Sequence, residues 1–142
     1  MESCHAQRVM SHSREHTAVL APVSSAAEAA AAIEAGAQFV DPGTDEALIS
    51  ALRREGFPML DAEVIHVEAR EVAADVAADS RVLVDVDGWG TPAAAGAVAA
   101  VCAWRGVRII RTRHVAQVRR CLDMTESIIG IRPPTRAVRG LG

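Results

Sequence analysis

Several polar residues that could bind a ligand lie at the ends of apolar segments. They are Asp41, Asp61, Asp85, Arg111, Arg113 and His114. If the segments are parallel strands, their carboxyl ends meet at one rim of a sheet, where α/β folds bind ligands. Carboxylates accept hydrogen bonds from amide-like donors, and guanidinium groups donate paired hydrogen bonds to anions. The sequence therefore predicts a site for a small ligand that carries both donors and an anionic group.

The segment Val107–Arg113 supplies the cationic part of this predicted site. In a strand with two-residue periodicity, Ile109, Arg111 and Arg113 share one face. The Cα atoms of the two arginines would then lie about 6 to 7 Å apart, at a rise of roughly 3.3 Å per residue. We expect the pair to hold an anion. His114 follows as a candidate general base, but a helix-capping or backbone-bonded role is better supported.

Short apolar segments alternate with alanine-rich helical segments along the chain. The predicted strands are 17–21, 38–40, 58–60, 81–86 and 107–111, and the predicted helices are 25–36, 46–56, 68–78, 92–104 and 115–129. Ser24 or Ser25, Asp45 and Thr91 are expected to cap the first, second and fourth helices. Such alternation predicts an α/β fold of five βα units around a parallel sheet. Two architectures stay open: part of a (β/α) barrel with sequential strand order, and an open flavodoxin-like sheet with the order 2-1-3-4-5.

Length and composition predict one domain without nucleic-acid or membrane partners. The chain has 142 residues, 50% of them hydrophobic and 3% aromatic, with a net charge of −3. No basic surface interleaved with aromatics is present, and no apolar run is long enough to span a membrane or to form a signal peptide. We therefore expect a cytoplasmic protein with its three cysteines reduced. The sequence predicts neither a cofactor nor a metal site.

Polar segments flank the predicted domain, which spans residues 17–130. Residues 1–16 are predicted to be a disordered leader, because Cys4 and the histidines near it fit no known zinc-ligand spacing. A metal-binding role for this leader is the alternative reading. Residues 131–142 form an irregular basic tail with three arginines.

The end of the domain carries a resemblance to a known family. Residues 106–124, GVRIIRTRHVAQVRRCLDM, resemble the last strand and helix of dihydropteroate synthases, Gly-x-x-(I/V)-(I/V)-Arg-Val-His-Asp-Val. Arg111 falls on the arginine of the pattern, whereas Arg113 and His114 replace its histidine and aspartate. In that family the arginine and histidine face the anionic part of the pterin substrate. The resemblance thus implies a pterin-type ligand at this rim.

Earlier segments resemble the same family in the same order. AAEAAAAIEAGAQFVDPG places Asp41 on a family aspartate, and FPMLDA places Asp61 on the aspartate that contacts pterin. LVDVDG places Asp85 on another family aspartate and puts Val84 where an asparagine is expected. These matches run from about Ala26 to Ile129. They imply a TIM-barrel fold from which two or three βα units are missing, and a connection with folate biosynthesis.

Departures from the family pattern argue against catalysis. The opening Asn-x-Thr-Pro-Asp-Ser-Phe loop and the Ser-Arg-Lys strand have no counterpart, and the chain contains no lysine. A weaker resemblance of residues 35–60 to 2-keto-3-deoxy-6-phosphogluconate aldolases meets the same obstacle, because their Schiff base forms on a lysine. We therefore expect a non-catalytic protein that binds a small anionic ligand of the pterin or phosphate type.

Two other functions stay open at this point. The chain could be a structural or regulatory subunit, since five barrel strands leave two parallel edges that a second copy or a partner subunit would cover. Alternatively, it could be a degenerate transferase of the folate pathway. In either case we expect a homo-oligomer or a complex with a partner subunit, because parallel edges are rarely left exposed.

Overall fold

The computed structural model describes residues 16–131. The predicted leader before residue 16 and the tail from residue 132 lie outside the described residues. The strands are β1 (Ala18–Pro22), β2 (Phe39–Asp41), β3 (Ile65–His66), β4 (Val82–Asp85) and β5 (Ile109–Arg111). The helices are α1 (Ala26–Ala35), α2 (Glu46–Arg54), α3 (Ala74–Ala77), α4 (Pro92–Arg105) and α5 (Val115–Ile128).

The strands form one open, all-parallel sheet with the order β2-β1-β5-β4-β3. This result confirms the predicted α/β fold with a five-stranded parallel sheet. The order is neither 1-2-3-4-5 nor the flavodoxin-like 2-1-3-4-5. Consecutive strands are neighbours as in the sequential order, except that β5 pairs with β1 and that β2 and β3, which do not pair, form the two edges of the sheet. Consecutive strands of a barrel would be arranged in this way if the barrel were cut at one point.

The helices cover only one face of the sheet. Val19, Val84 and Ile110 point to this face and pack with residues from all five helices in the main core. The opposite face carries a small separate cluster of Leu20, Leu83 and Ile109. Leu60 and Val64, from the connection between α2 and β3, pack on that second cluster. One-sided helices are typical of a barrel wall, whereas a doubly wound sheet has helices on both faces.

Side-chain caps fix the starts of three helices, as predicted. Ser25, Asp45 and Thr91 each accept a hydrogen bond from the backbone N–H three residues further on. Helix α4 ends at Gly106, whose φ of 107° is accessible to glycine but strained for other residues. None of the helices between residues 16 and 131 has the length and apolarity needed to cross a membrane.

The third βα unit differs from the prediction. Residues 58–60 form no strand, although Val40 N donates to Pro58 O at 2.9 Å beside the β2 edge. Proline has no N–H with which to continue a ladder, so the third strand forms later, at Ile65–His66. The predicted helix 68–78 is split into a 3-10 turn at Ala69–Glu71 and the single-turn α3. The split occurs where Val72 enters the core, since burial of this side chain outweighs helical propensity.

A buried carboxylate ties the beginning of β1 to α5. Glu126 is 1% exposed and accepts hydrogen bonds from Thr17 N at 2.9 Å and from Arg119 Nη2 at 3.2 Å. His16 Nδ1 lies 3.0 Å from the second carboxylate oxygen. Arg119 also donates to Thr17 O and to Asp123. The charged group is therefore fully engaged, which is the condition for burying it without a large desolvation penalty.

We predict that Glu126→Ala lowers the free energy of unfolding by about 3 kcal/mol, because it leaves Arg119 and the Thr17 N–H without their buried acceptor. Urea unfolding followed by circular dichroism measures the change. Glu34→Ala, at an exposed position of α1, is the matched control and should change the free energy by less than about 0.5 kcal/mol. Equal unfolding midpoints for the two variants would contradict the role given to Glu126.

Candidate functional site

A cavity of about 370 Å³ lies at the carboxyl ends of the strands, on the face without helices. We call it the rim cavity. Its apolar part includes Leu20 and Leu83, which belong to the small cluster on the face opposite the helices. Its polar lining comprises Asp41, Arg53, Asp61, His66 and Arg111. The volume is within the usual range for small-molecule sites, so a bicyclic heterocycle would fit.

Arg111 is held between two carboxylates at this cavity. Its Nε donates to Asp41 Oδ2 at 3.2 Å, and its Nη1 donates to Asp85 Oδ2 at 2.8 Å. Asp85 lies opposite Arg111 on the neighbouring β4, while Asp41 lies on β2, on the far side of β1. The guanidinium group therefore extends over the face of the sheet without helices, and it connects β5 with β2 and β4.

The electrostatics of Arg111 keep it charged. Partial burial lowers its pKa, but the hydrogen bonds from the guanidinium group to Asp85 and Asp41 outweigh this effect and raise the pKa above its ordinary value. The guanidinium group is therefore a permanent cation. Arg111, Asp41 and Asp85 are all partly exposed. A ligand could therefore replace one of the two hydrogen bonds without leaving a buried charge unpaired.

Carboxylates and guanidinium groups are equal in number in the cavity lining. The lining holds Asp41 and Asp61 beside Arg53 and Arg111, and Asp85, outside the lining, is a further carboxylate bonded to Arg111. Asp61 is exposed at the cavity and is not one of the carboxylates bonded to Arg111. The arrangement offers acceptors to a ligand with N–H donors. A multiply charged anion would have to displace a carboxylate from Arg111.

Arg113 and His114 lie in a different place. They line a second cavity of about 870 Å³ between α1 and the first turn of α5, together with Glu28. The prediction that Arg111 and Arg113 share one face of a strand is wrong, because β5 ends at Arg111. The two arginines line different cavities. His114 occupies the N-cap position of α5, but its side chain makes no capping hydrogen bond.

Asp87 determines the course of the chain beyond β5. It accepts hydrogen bonds from Thr112 Oγ1 at 2.6 Å and from Arg113 N at 2.8 Å. Thr112 is fully buried, and its oxygen also accepts from His114 N at 3.0 Å. The bonds to Asp87 hold the β5–α5 loop against the β4–α4 loop, and they direct the backbone of Arg113 away from the rim cavity.

Arg53 and His66 are cavity residues that sequence reasoning missed. Arg53 lies four residues after Ile49 on α2, and both side chains line the cavity. Their helical spacing, which places them on one face, was the sequence signal that could have indicated Arg53. His66 precedes the helix predicted over 68–78 and was not assigned to a strand. It lies instead on β3, paired in register with Leu83, because the third strand forms later than predicted.

Comparisons with known proteins give a short but close match. No family model matches the chain. Over 45 residues it is 53% identical to the inactive dihydropteroate synthase 2 of Mycobacterium tuberculosis and of Mycobacterium bovis. The match covers 32% of this chain and 14% of those relatives. The same protein of Mycobacterium leprae is 53% identical over 45 residues, which is 16% of its length.

A solved structure, that of Mycobacterium tuberculosis Rv1207, is 27% identical and aligns over 83% of this chain and 71% of its own, with a TM-score of 0.36. The curated relatives thus support a relationship to dihydropteroate synthases over one segment. That segment is a small part of the relatives' length.

We predict that Thr112→Val lowers the free energy of unfolding by about 1 to 3 kcal/mol, because Asp87 Oδ1 and the His114 N–H both lose a buried partner. The two side chains have nearly the same shape, so the change isolates the hydroxyl group. Thermal unfolding measures the effect, and Thr44→Val in an exposed loop is the matched control. A melting temperature equal to that of the control would show that the hydroxyl does not hold the two loops together.

Proposed function

We propose that this chain is a non-catalytic dihydropteroate-synthase-like protein that binds a small pterin-type ligand in the rim cavity. The observation that carries the proposal is the position of Arg111, fixed between Asp41 and Asp85 beside a cavity of about 370 Å³. The same residues lie on family positions in the sequence, and the curated relatives matched over 45 residues are inactive dihydropteroate synthases.

The polar groups of the cavity suit a pterin-type ring. Such a ring presents N–H and amino donors along one edge and a carbonyl acceptor beside them. Asp61 is exposed at the cavity, where its carboxylate can accept hydrogen bonds from donors of this kind. Arg111 can donate to the carbonyl oxygen while keeping one carboxylate partner. Leu20 and Leu83 provide an apolar surface for the ring.

A phosphate-type ligand is the less favoured choice at this cavity. Both of the carboxylates at Arg111 compete with an added anion for the guanidinium group. Arg113, which was expected to provide the second cation, lines the other cavity. The proposed ligand is therefore a hydrogen-bonding heterocycle whose anionic part, if present, extends beyond the rim cavity.

The proposed absence of catalysis is supported by side chains that the chain lacks. There is no lysine in the sequence to bind or activate a second substrate. Val84, which replaces the asparagine expected from the family pattern, is fully buried in the core on the helix side and adds no polar group to the cavity. The proposed role of the cavity is therefore to bind and position a ligand, without the lysine that the family pattern places at its substrate.

Calorimetric titration with 6-hydroxymethylpterin tests the binding site. We predict that Arg111→Ala and Asp61→Asn each weaken binding by about ten- to a hundredfold, the factor for losing a hydrogen bond to a charged group. Arg113→Ala is the matched control and should bind as the wild type does, because Arg113 lines the other cavity.

Pyrophosphate titrated into the same variants distinguishes the two ligand types. Pterin binding that is absent, or equal in all variants, would contradict the proposal. Loss of binding only in Arg113→Ala would move the site to the cavity between α1 and α5.

A turnover assay tests the non-catalytic assignment. We predict that the chain forms no dihydropteroate from a pterin pyrophosphate and p-aminobenzoate above the rate in buffer. An authentic dihydropteroate synthase assayed in parallel shows that the conditions support the reaction. Product formation at a comparable rate would mean that the chain is a transferase despite the missing lysine.

A further inference from the structure

Residues 59–64 cross the face of the sheet that carries no helices, and we call this segment the strap. At one end it follows Pro58, whose carbonyl oxygen accepts the hydrogen bond of Val40 N beside β2. At the other end it leads into β3, where Ile65 N donates to Arg81 O at 2.9 Å. The strap therefore runs from one edge of the sheet to the other and is attached at both of its ends.

Hydrogen bonds do not hold the strap itself in place. Within residues 16–131, no backbone or side-chain hydrogen bond involves a residue of the strap. Its contact with the sheet is apolar, because the partly buried Leu60 and Val64 pack on the small cluster that includes Leu83. Segments with few buried apolar contacts and few hydrogen bonds open at a free-energy cost well below that of global unfolding.

The strap is also one wall of the rim cavity. Five of the fifteen lining residues belong to it, namely Met59, Leu60, Asp61, Ala62 and Val64. Leu20 and Leu83, on the sheet, line the same cavity. The cavity therefore lies between the strap and the sheet, and a movement of the strap away from the sheet would open it.

We propose that the strap opens and closes over the rim cavity, so that it admits a ligand and then encloses it. The attachments at Pro58 and Ile65 are the fixed ends of this movement. The packing of Leu60 and Val64 on the sheet is the contact that breaks when the strap opens. Local openings of this kind leave the rest of a fold intact.

Asp61 gives the strap a means of responding to a ligand, and this part of the inference rests on the proposed function. The carboxylate of Asp61 is exposed at the cavity and has no hydrogen-bond partner within the described residues. Arg111, by contrast, belongs to the sheet and is fixed between two carboxylates. A ligand that bonds to both side chains connects the strap with the sheet in the closed position alone. Such differential binding shifts the equilibrium toward closure.

Thiol labelling measures the opening of the strap. Leu83 and Cys102 are each 1% exposed, but Leu83 belongs to the cluster that the strap covers and Cys102 to the main core on the helix side. A maleimide with a long polyethylene glycol chain is too large for the rim cavity, so it reaches either position only after part of the fold opens. We expect the thiol introduced by Leu83→Cys to react at least about tenfold faster than Cys102 of the same molecules. Peptide mapping gives the two rates.

A second substitution tests whether the strap is the part that opens. Leu60→Ala should speed the reaction of the introduced thiol by about a further tenfold, the factor for losing the burial of about half a leucine side chain. The reaction of Cys102 should not change. Ala62→Ser, at an exposed position of the strap, is the matched control. Circular dichroism shows whether Leu83→Cys is folded, and Ile109→Cys takes its place if it is not.

Two results of the labelling would overturn the proposal. Equal rates for the introduced thiol and Cys102 would mean that the strap opens only when the whole domain unfolds. An equal effect of Leu60→Ala on both thiols would mean that this side chain stabilises the domain and not the closed strap.

Proteolysis of the wild type tests the response to a ligand. A glutamate-specific endoproteinase cuts after Glu63, which lies on the strap and fits a protease site only when the strap is open and extended. Saturating 6-hydroxymethylpterin should slow this cut at least about fivefold, and Asp61→Asn should reduce the protection.

The two experiments separate the strap from the proposed function. Fast labelling together with no pterin binding would support the movable strap and contradict the proposed function. Pterin binding in the calorimeter without slower cleavage would support the proposed function and overturn the closure of the strap on its ligand.

Discussion

The pairing of β5 with β1 is the contact on which the arrangement of this domain depends. It joins segments that lie about ninety residues apart and gives the sheet the order of a barrel with units left out. Closing so long a loop is costly in chain entropy, and the buried contacts of Val19, Leu20 and Ile110 offset that cost. The Glu126–Arg119 network adds a second attachment at the beginning of β1. Without this pairing, neither the rim cavity nor the helical layer would form.

The same pairing explains how one arginine acts on three strands. β5 lies between β1 and β4, so Arg111 reaches Asp85 on one side and Asp41 beyond β1 on the other. The guanidinium group reduces the repulsion between carboxylates gathered at one rim, and they hold it in a fixed orientation. A ligand that enters the cavity therefore meets an oriented donor and oriented acceptors. Such preorganisation favours binding, because few side chains have to be reordered.

Much of the fold could be predicted from residues that act locally. The caps at Ser25, Asp45 and Thr91 and the apolar segments of β1, β2, β4 and β5 were sufficient to place four of the strands and most of the helices. The third βα unit could not be placed, because Pro58 prevents a ladder and Val72 is drawn into a core formed by distant elements. The effect of Pro58 is local, whereas the burial of Val72 is a tertiary effect without a signature in local periodicity.

For the candidate site, the sequence by itself determined the residue types. Asp41, Asp61, Asp85 and Arg111 each end or follow an apolar segment, and local spacing and family resemblance both pointed to them. Only the tertiary structure decided which of them meet. Strand order brought Asp41 and Asp85 to Arg111, whereas the bonds of Asp87 to Thr112 and Arg113 N ended the alternation and left Arg113 at another cavity. A side chain's chemistry is local, but its partners depend on strands that fold together from distant parts of the chain.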